Sequence, residues 1–210
     1  MSALPAIDLA GRVALVTGGA RGVGAAIAEL LGAAGAEVMV ADGNADGLAR
    51  IEARTAFATF ECDCADPVRV TEMFAALRER HGRLDALVCA QRPASLDAAS
   101  LCVEEAARQM PGAGGGRIVL VGSTGDPDLP ALVRERTAEL AAGRIAVNAV
   151  LAGAIRGELP DAELAERAAA NPSGMVGEPA DVARAALWLL DPENAFVTGA
   201  SVVVDGGESC

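Results

Sequence analysis

The stretch VALVTGGARGVG, residues 13–24, decides how this chain is to be read. Residues 13–17 form an apolar run closed by Thr17, the pattern of a short strand buried on both faces. From residue 22 the pattern changes. Val23, Ile27, Leu30 and Leu31 fall on one side at helical spacing, which predicts a helix over 22–34. The turn between them is Thr17-Gly18-Gly19-Ala20-Arg21-Gly22-Val23-Gly24. Glycines let a chain turn tightly and let its backbone approach a pyrophosphate. The helix N-terminus then offers unpaired N–H groups and the positive end of a dipole. A strand before and a helix after are the context that such a phosphate-binding turn needs; a purely structural glycine turn is the alternative. On the binding reading, Gly18, Arg21, Gly22, Val23 and Gly24 belong to the site.

Outward from this turn, strand-like and helix-like segments alternate. Strands are predicted at 37–41, 56–61, 84–89, 117–122, 144–150 and 201–205. Helices are predicted at about 45–54, 67–80, 97–110, 130–142, 161–170 and 179–190. Pro67 opens one of these and Gly82 stops it. This alternation predicts an α/β fold: a single Rossmann-like domain over 1–210, with a doubly wound parallel sheet of about seven strands and helices on both faces.

Asp42 ends the second predicted strand, 18 residues past Gly24. A carboxylate there accepts hydrogen bonds from the ribose hydroxyls of adenosine and repels a 2′-phosphate. Gly43, not an arginine, follows it, so the expected cofactor is NAD rather than NADP; a solvated loop aspartate is the alternative. Asp63, at the end of the third strand, lies where it can reach an adenine amino group.

Composition removes whole classes of function. With 210 residues, 52% of them hydrophobic and 22% charged, the chain has material for one sizeable core. A formal net charge of −12 argues against nucleic acid and anionic membrane as partners, since both require a basic face. No apolar run is long enough to span a bilayer, and no basic segment precedes an apolar stretch at the start, so a cytoplasmic location is expected. Cys62, Cys64, Cys89, Cys102 and Cys210 read as reduced structural thiols. Cys62 and Cys64 alone cannot close a tetrahedral metal site, so no metal is expected. There is no Tyr, and all 17 basic residues other than His81 are arginines, so there is no Lys either.

In its motifs the chain resembles the short-chain dehydrogenase/reductase family along essentially its whole length. TGGARGVG is similar to that family's TGxxxGxG, and LDALV leads into the position of its NNAG motif, here Cys89-Ala90-Gln91-Arg92. GRIVLVGS is similar to the strand that ends in the family's catalytic serine, here Ser123. RIAVNAVLAGAI and the C-terminal GEPADVARAALWLLDPENAFVTGASVVVDGG match in the same order. The resemblance implies an NAD(P)-binding fold, with Ala90 beside the cofactor, and dehydrogenase activity if the working residues match.

They mostly do not. The family's chemistry uses a Tyr as general acid/base, a Lys that lowers its pKa, a Ser that holds the substrate carbonyl, and an Asn. A phenol must be tuned from about 10 toward the operating pH to exchange protons usefully. Here Ser123 alone remains. It is followed by Thr-Gly-Asp-Pro-Asp-Leu-Pro and then directly by the next helix, and Asn148 belongs to the sixth-strand motif instead. Arg92 stands where the family has Gly, and the segment 152–157 lacks the family's Thr.

Other candidates read more plainly as structure. His81 is expected to cap a helix end and face solvent. Asp126 and Asp128 flank Pro127 as a turn and helix start, with an acid/base pair as the alternative. Arg134 and Arg136 read as a solvated face and Trp188 as core.

The pattern of loss points to a dinucleotide-binding member without redox activity of its own, a partner subunit of an active relative or a homodimer. A changed, non-redox chemistry (lyase, cyclase or isomerase) on a small molecule, using Ser123, Asp126, Arg92 and Cys89, is the second reading. Ordinary hydride transfer with substitute groups is the third.

Overall fold

Seven short segments, each apolar enough to be covered on both faces, form one sheet. They are β1 (Val13–Thr17), β2 (Glu37–Asp42), β3 (Ala58–Glu61), β4 (Ala86–Cys89), β5 (Gly116–Ser123), β6 (Ile145–Ala152) and β7 (Ser201–Val204). The computed structural model describes residues 7–90 and 96–210. All neighbouring strands are parallel, in the order β3-β2-β1-β4-β5-β6-β7. Every residue of β1, β4 and β6 is buried, as a central strand between two helical layers must be.

The helices are α1 (Gly22–Ala33), α2 (Ala45–Arg54), α3 (Pro67–His81), α4 (Leu96–Gln109), α5 (Leu129–Leu140), α6 (Asp161–Ala170) and α7 (Pro179–Leu190). Their ends follow local chemistry. The Asn44 side chain accepts the Gly47 amide at 2.9 Å to start α2. The Asp66 carboxylate accepts the Val68 amide at 2.9 Å ahead of Pro67, and Gly82 closes α3 at φ 73°. Asp181 takes the Glu178 amide at 2.8 Å in a reciprocal capping pair at α7.

Two apolar clusters lie on opposite faces of the sheet. One holds Ile27 and Leu31 of α1, Leu48 and Ile51 of α2, and Val182 and Leu189 of α7. The other holds Phe74 and Leu77 of α3, Cys102 and Val103 of α4, and Val133 of α5. The predicted fold therefore stands, with small shifts at element ends. The expected strand at 56–61 begins at Ala58, and the helix expected over 130–142 tightens into a 3₁₀ turn at Ala141–Gly143.

Three side chains differ from their expected surroundings. Trp188, expected in the core, is 45% exposed, because the buried stripe of α7 runs through Val182, Ala186 and Leu189. His81 is at the end of α3 as expected but turns away from solvent. Its side chain is 9% exposed and its Nδ1 lies 3.0 Å from the Glu37 carboxylate. Arg136 is no part of a solvated face; it is tucked between α5 and α4, 2.8 Å from Glu139 and 3.4 Å from Glu104. Arg134 is exposed.

Candidate functional site

β1 and β4 are neighbours, yet the chain leaves β1 toward β2 and β3 and leaves β4 toward β5. Parallel sheets open a crevice at the carboxyl ends of the strands where the order reverses in this way. A pocket of about 320 Å³ lies there, lined by Gly18, Arg21, Asp42, Gly43, Cys62, Asp63, Cys64, Ala90 and Glu158. It brings together five residues read from the sequence as a binding site: Gly18, Arg21, Asp42, Asp63 and Ala90. Gly22, Val23 and Gly24 form the first turn of α1 beside it.

Each wall is held by backbone hydrogen bonds. The Gly18 amide donates to the Ala41 carbonyl at 2.8 Å, tying the glycine turn to the end of β2. Asp42 accepts the Ala20 amide on Oδ2 at 3.1 Å and the Asn44 amide on Oδ1 at 2.9 Å, so its carboxylate is fixed at the rim. Asp63 accepts the Ala65 amide at 3.0 Å and remains exposed. The Ala90 amide donates to the Thr17 carbonyl at 2.9 Å, closing the far wall. Gly24 is required by contact: a Cβ there would stand 2.1 Å from the Gly18 carbonyl oxygen.

The residue that the sequence reading missed is Glu158, on the connection from β6 to α6. Its Oε1 accepts the Val23 amide at 2.9 Å, across 135 residues of sequence. It lies so close to Gly22 (φ 54°) that a Cβ there would stand 1.9 Å from the same oxygen. The carboxylate thus occupies the open face that the glycine turn leaves at the N-terminus of α1. A negative group is stabilised there by the unpaired amides and the helix dipole. No local pattern around residue 158 announces this contact.

The corner across β4 carries less. Ser123 ends β5 beside Ala152 of β6, and its Oγ accepts the Gly125 amide at 3.3 Å. Asp126 accepts the Asp128 and Leu129 amides, both at 3.1 Å, and so starts α5 as a turn. Cys89 is buried at the end of β4, and Gln91 and Arg92 lie outside the described residues. Asn148 is buried in β6, where it holds the Val197 carbonyl at 3.0 Å and the Ala200 amide at 3.0 Å.

Cys62, Cys64, Cys89 and Cys102 are all buried on one face of the sheet. The hydrogen bond that the Cys62 thiol gives to Cys64, then burial, pushes the Cys62 thiol up. Hydrogen bonds with Cys64 and Cys89, then burial, push up Cys102. Thiols so held stay protonated and make poor nucleophiles. Among the described residues no group of three or more His, Cys, Asp or Glu is placed to hold a metal ion. A larger cavity, about 620 Å³, lies at the opposite ends of the strands, between Ala14, Ala86, Gly116 and Ile145. It is mostly apolar, with the Arg12–Asp85 pair in its wall, and none of the candidate site residues reaches it.

Comparison with known proteins gives these features a context. Residues 12–90 match the family profile described as short chain dehydrogenase, and residues 128–209 match that described as enoyl-(acyl carrier protein) reductase. The chain is 32% identical to a cis-4-hydroxycyclohexanecarboxylate dehydrogenase of Sinomonas cyclohexanicum, covering 93% of this chain and 96% of that one. It is also 32% identical to an A-factor type gamma-butyrolactone 1′-reductase of Streptomyces virginiae, covering 95% and 96%. The first alignment runs over 238 positions against the 210 residues here, so the relative carries residues without a counterpart in this chain. A short-chain type dehydrogenase/reductase from Mycobacterium ulcerans superposes with a TM-score of 0.87 at 28% identity, covering 96% of this chain and 90% of that one.

Proposed function

The chain belongs to the short-chain dehydrogenase/reductase family, whose members bind nicotinamide dinucleotides, and from that premise we propose that it is a member without hydride transfer of its own, serving as partner subunit to an active relative. One observation carries this reading: the chain contains neither a tyrosine nor a lysine, so no side chain can supply a phenol tuned by a neighbouring ammonium. Ser123 by itself offers a hydrogen bond to a carbonyl and no proton exchange at neutral pH.

The adenosine end of a dinucleotide suits the residues present. Asp42 stands fixed at the end of β2, able to accept from ribose hydroxyls, and its charge favours NAD over NADP. Asp63 and Ala90 complete that part of the pocket. The pyrophosphate end does not suit them as folded, because the Glu158 carboxylate already takes the Val23 amide.

Apolar surface supports the partner role. Trp188 on α7, the fully exposed Phe196, and Val203 on the edge strand β7 are large apolar side chains open to solvent. A second copy of the chain would cover the same edge as a homodimer. The described helices include none long and apolar enough to cross a membrane. A cytoplasmic location and no partnership with nucleic acid belong to the same reading.

Native mass spectrometry of the protein from its own host tests it. The expected result is a complex with a second family member that carries the Tyr and Lys. A homo-oligomer or monomer that turns over NADH with a ketone would overturn the reading.

A further inference from the structure

We propose that Glu158 is an internal occupant of the pyrophosphate position, which a dinucleotide must displace in order to bind. The inference rests on the reading of the crevice as a dinucleotide site. Three observations carry it. The carboxylate accepts the Val23 amide at 2.9 Å, one of the amides that an anion at the N-terminus of α1 would use. It fills the space left by the missing side chain of Gly22, which is the approach path of a phosphate to this backbone. It also borders the same pocket as Asp42 and Asp63, so among the described residues three carboxylates and one guanidinium, Arg21, face that pocket. A pyrophosphate arriving there meets a like charge in its own place, whereas an uncharged nucleoside at the Asp42 end does not.

The connection that carries Glu158 is built to hold it and also able to release it. On one side, Ile155 pairs with Gly177, and the Arg156 amide donates to the Gly177 carbonyl at 2.9 Å. Gly157 then adopts φ 78° with open space around it, and the Glu158 amide turns back to the Ile155 carbonyl at 3.1 Å. Rotation about Gly157 and Glu158 swings the carboxylate out while the Ile155–Gly177 pairing stays in place. The site as folded therefore favours an adenine nucleoside over the corresponding diphosphate. That is the reverse of the order expected from a glycine turn at a helix N-terminus.

Isothermal titration calorimetry on the full chain tests this with adenosine, ADP and NAD, for the wild type, Glu158→Ala and Glu158→Gln. In the wild type, ADP should bind no more tightly than adenosine. In Glu158→Ala, ADP and NAD should tighten by about tenfold or more while adenosine changes less than about threefold, since only the phosphates meet the removed charge. Glu158→Gln keeps the shape and the hydrogen bond but not the charge, so it should give part of the gain, and it carries the test if the alanine variant melts early. Unchanged or weaker ADP and NAD binding in both variants, with binding to the wild type intact, overturns the proposal and leaves the dinucleotide reading standing. No binding of any of the three ligands to any of the folded proteins overturns both.

Discussion

Two groups of strand ends lie on either side of β4. On the β1–β2 side, the binding groups also build the fold. Asp42 ties the Ala20 and Asn44 amides, and Gly24 permits the turn to press against Gly18. On the β5–β6 side, Ser123 makes one long hydrogen bond to the next turn, and Asp126 only starts α5. The contrast teaches that the candidate binding groups of the first corner also carry stability, whereas those of the second contribute little to it. The pyrophosphate position lies between these corners, and there a residue from the β6 side, Glu158, has crossed to the β1 side.

The largest effect should come from attacking the contact that shapes the first corner. Gly24→Val places a Cβ 2.1 Å from the Gly18 carbonyl, backbone against backbone, with no flexible side chain to yield. A loss of about 3 kcal/mol or more in urea denaturation is expected. A loss below about 1 kcal/mol would show that this corner is not held by the fold after all.

Next comes the joint beneath both corners, where β1 meets β4. Asp85, 7% exposed, accepts the Val13 amide at 3.0 Å, Arg12 at 3.0 Å and Arg83 at 2.8 and 2.6 Å. Burial raises its pKa, but hydrogen bonds from Arg83, Val13 and Arg12 outweigh this and hold the carboxyl below its ordinary 3.8. Removing the charge by Asp85→Asn should cost about 3 kcal/mol at neutral pH, because two guanidinium groups lose their partner. Since the folded pKa is the lower one, this contribution is whole above the ordinary value. It is lost as pH falls from there through the folded value. Stability curves of the wild type and Asp85→Asn should therefore converge as acid is added below about pH 4. Curves that stay parallel would show that the carboxylate carries none of the joint.

The smallest effects sharpen the comparison directly. Asp42→Ala should lose about 1 kcal/mol, from two unpaired amides, and weaken adenosine binding. Ser123→Ala should change stability by less than about 0.5 kcal/mol and leave adenosine binding alone. Equal losses from the two variants would erase the distinction between the corners.

Much of this was legible beforehand. VALVT, the glycine turn and the helix spacing after it locate β1, α1 and the crevice, because strand period, turn chemistry and capping are properties of neighbouring residues. The start of α3 at Pro67 and its stop at Gly82 were readable for the same reason, as was the Asp126 turn. Trp188 was misplaced because an apolar residue on a helix says nothing of which neighbours cover it. His81 was rightly put at the helix end, but its burial was not readable because its partner, Glu37, lies 44 residues away.

By itself, the sequence determined the strand–helix alternation, the glycine turn, the acidic end of β2 and the lack of any tyrosine or lysine. Only the tertiary structure decided what stands at the turn. Glu158 reaches Val23 across 135 residues, and a loop carboxylate is drawn to unpaired helix amides only once the sheet has brought the two strand ends together.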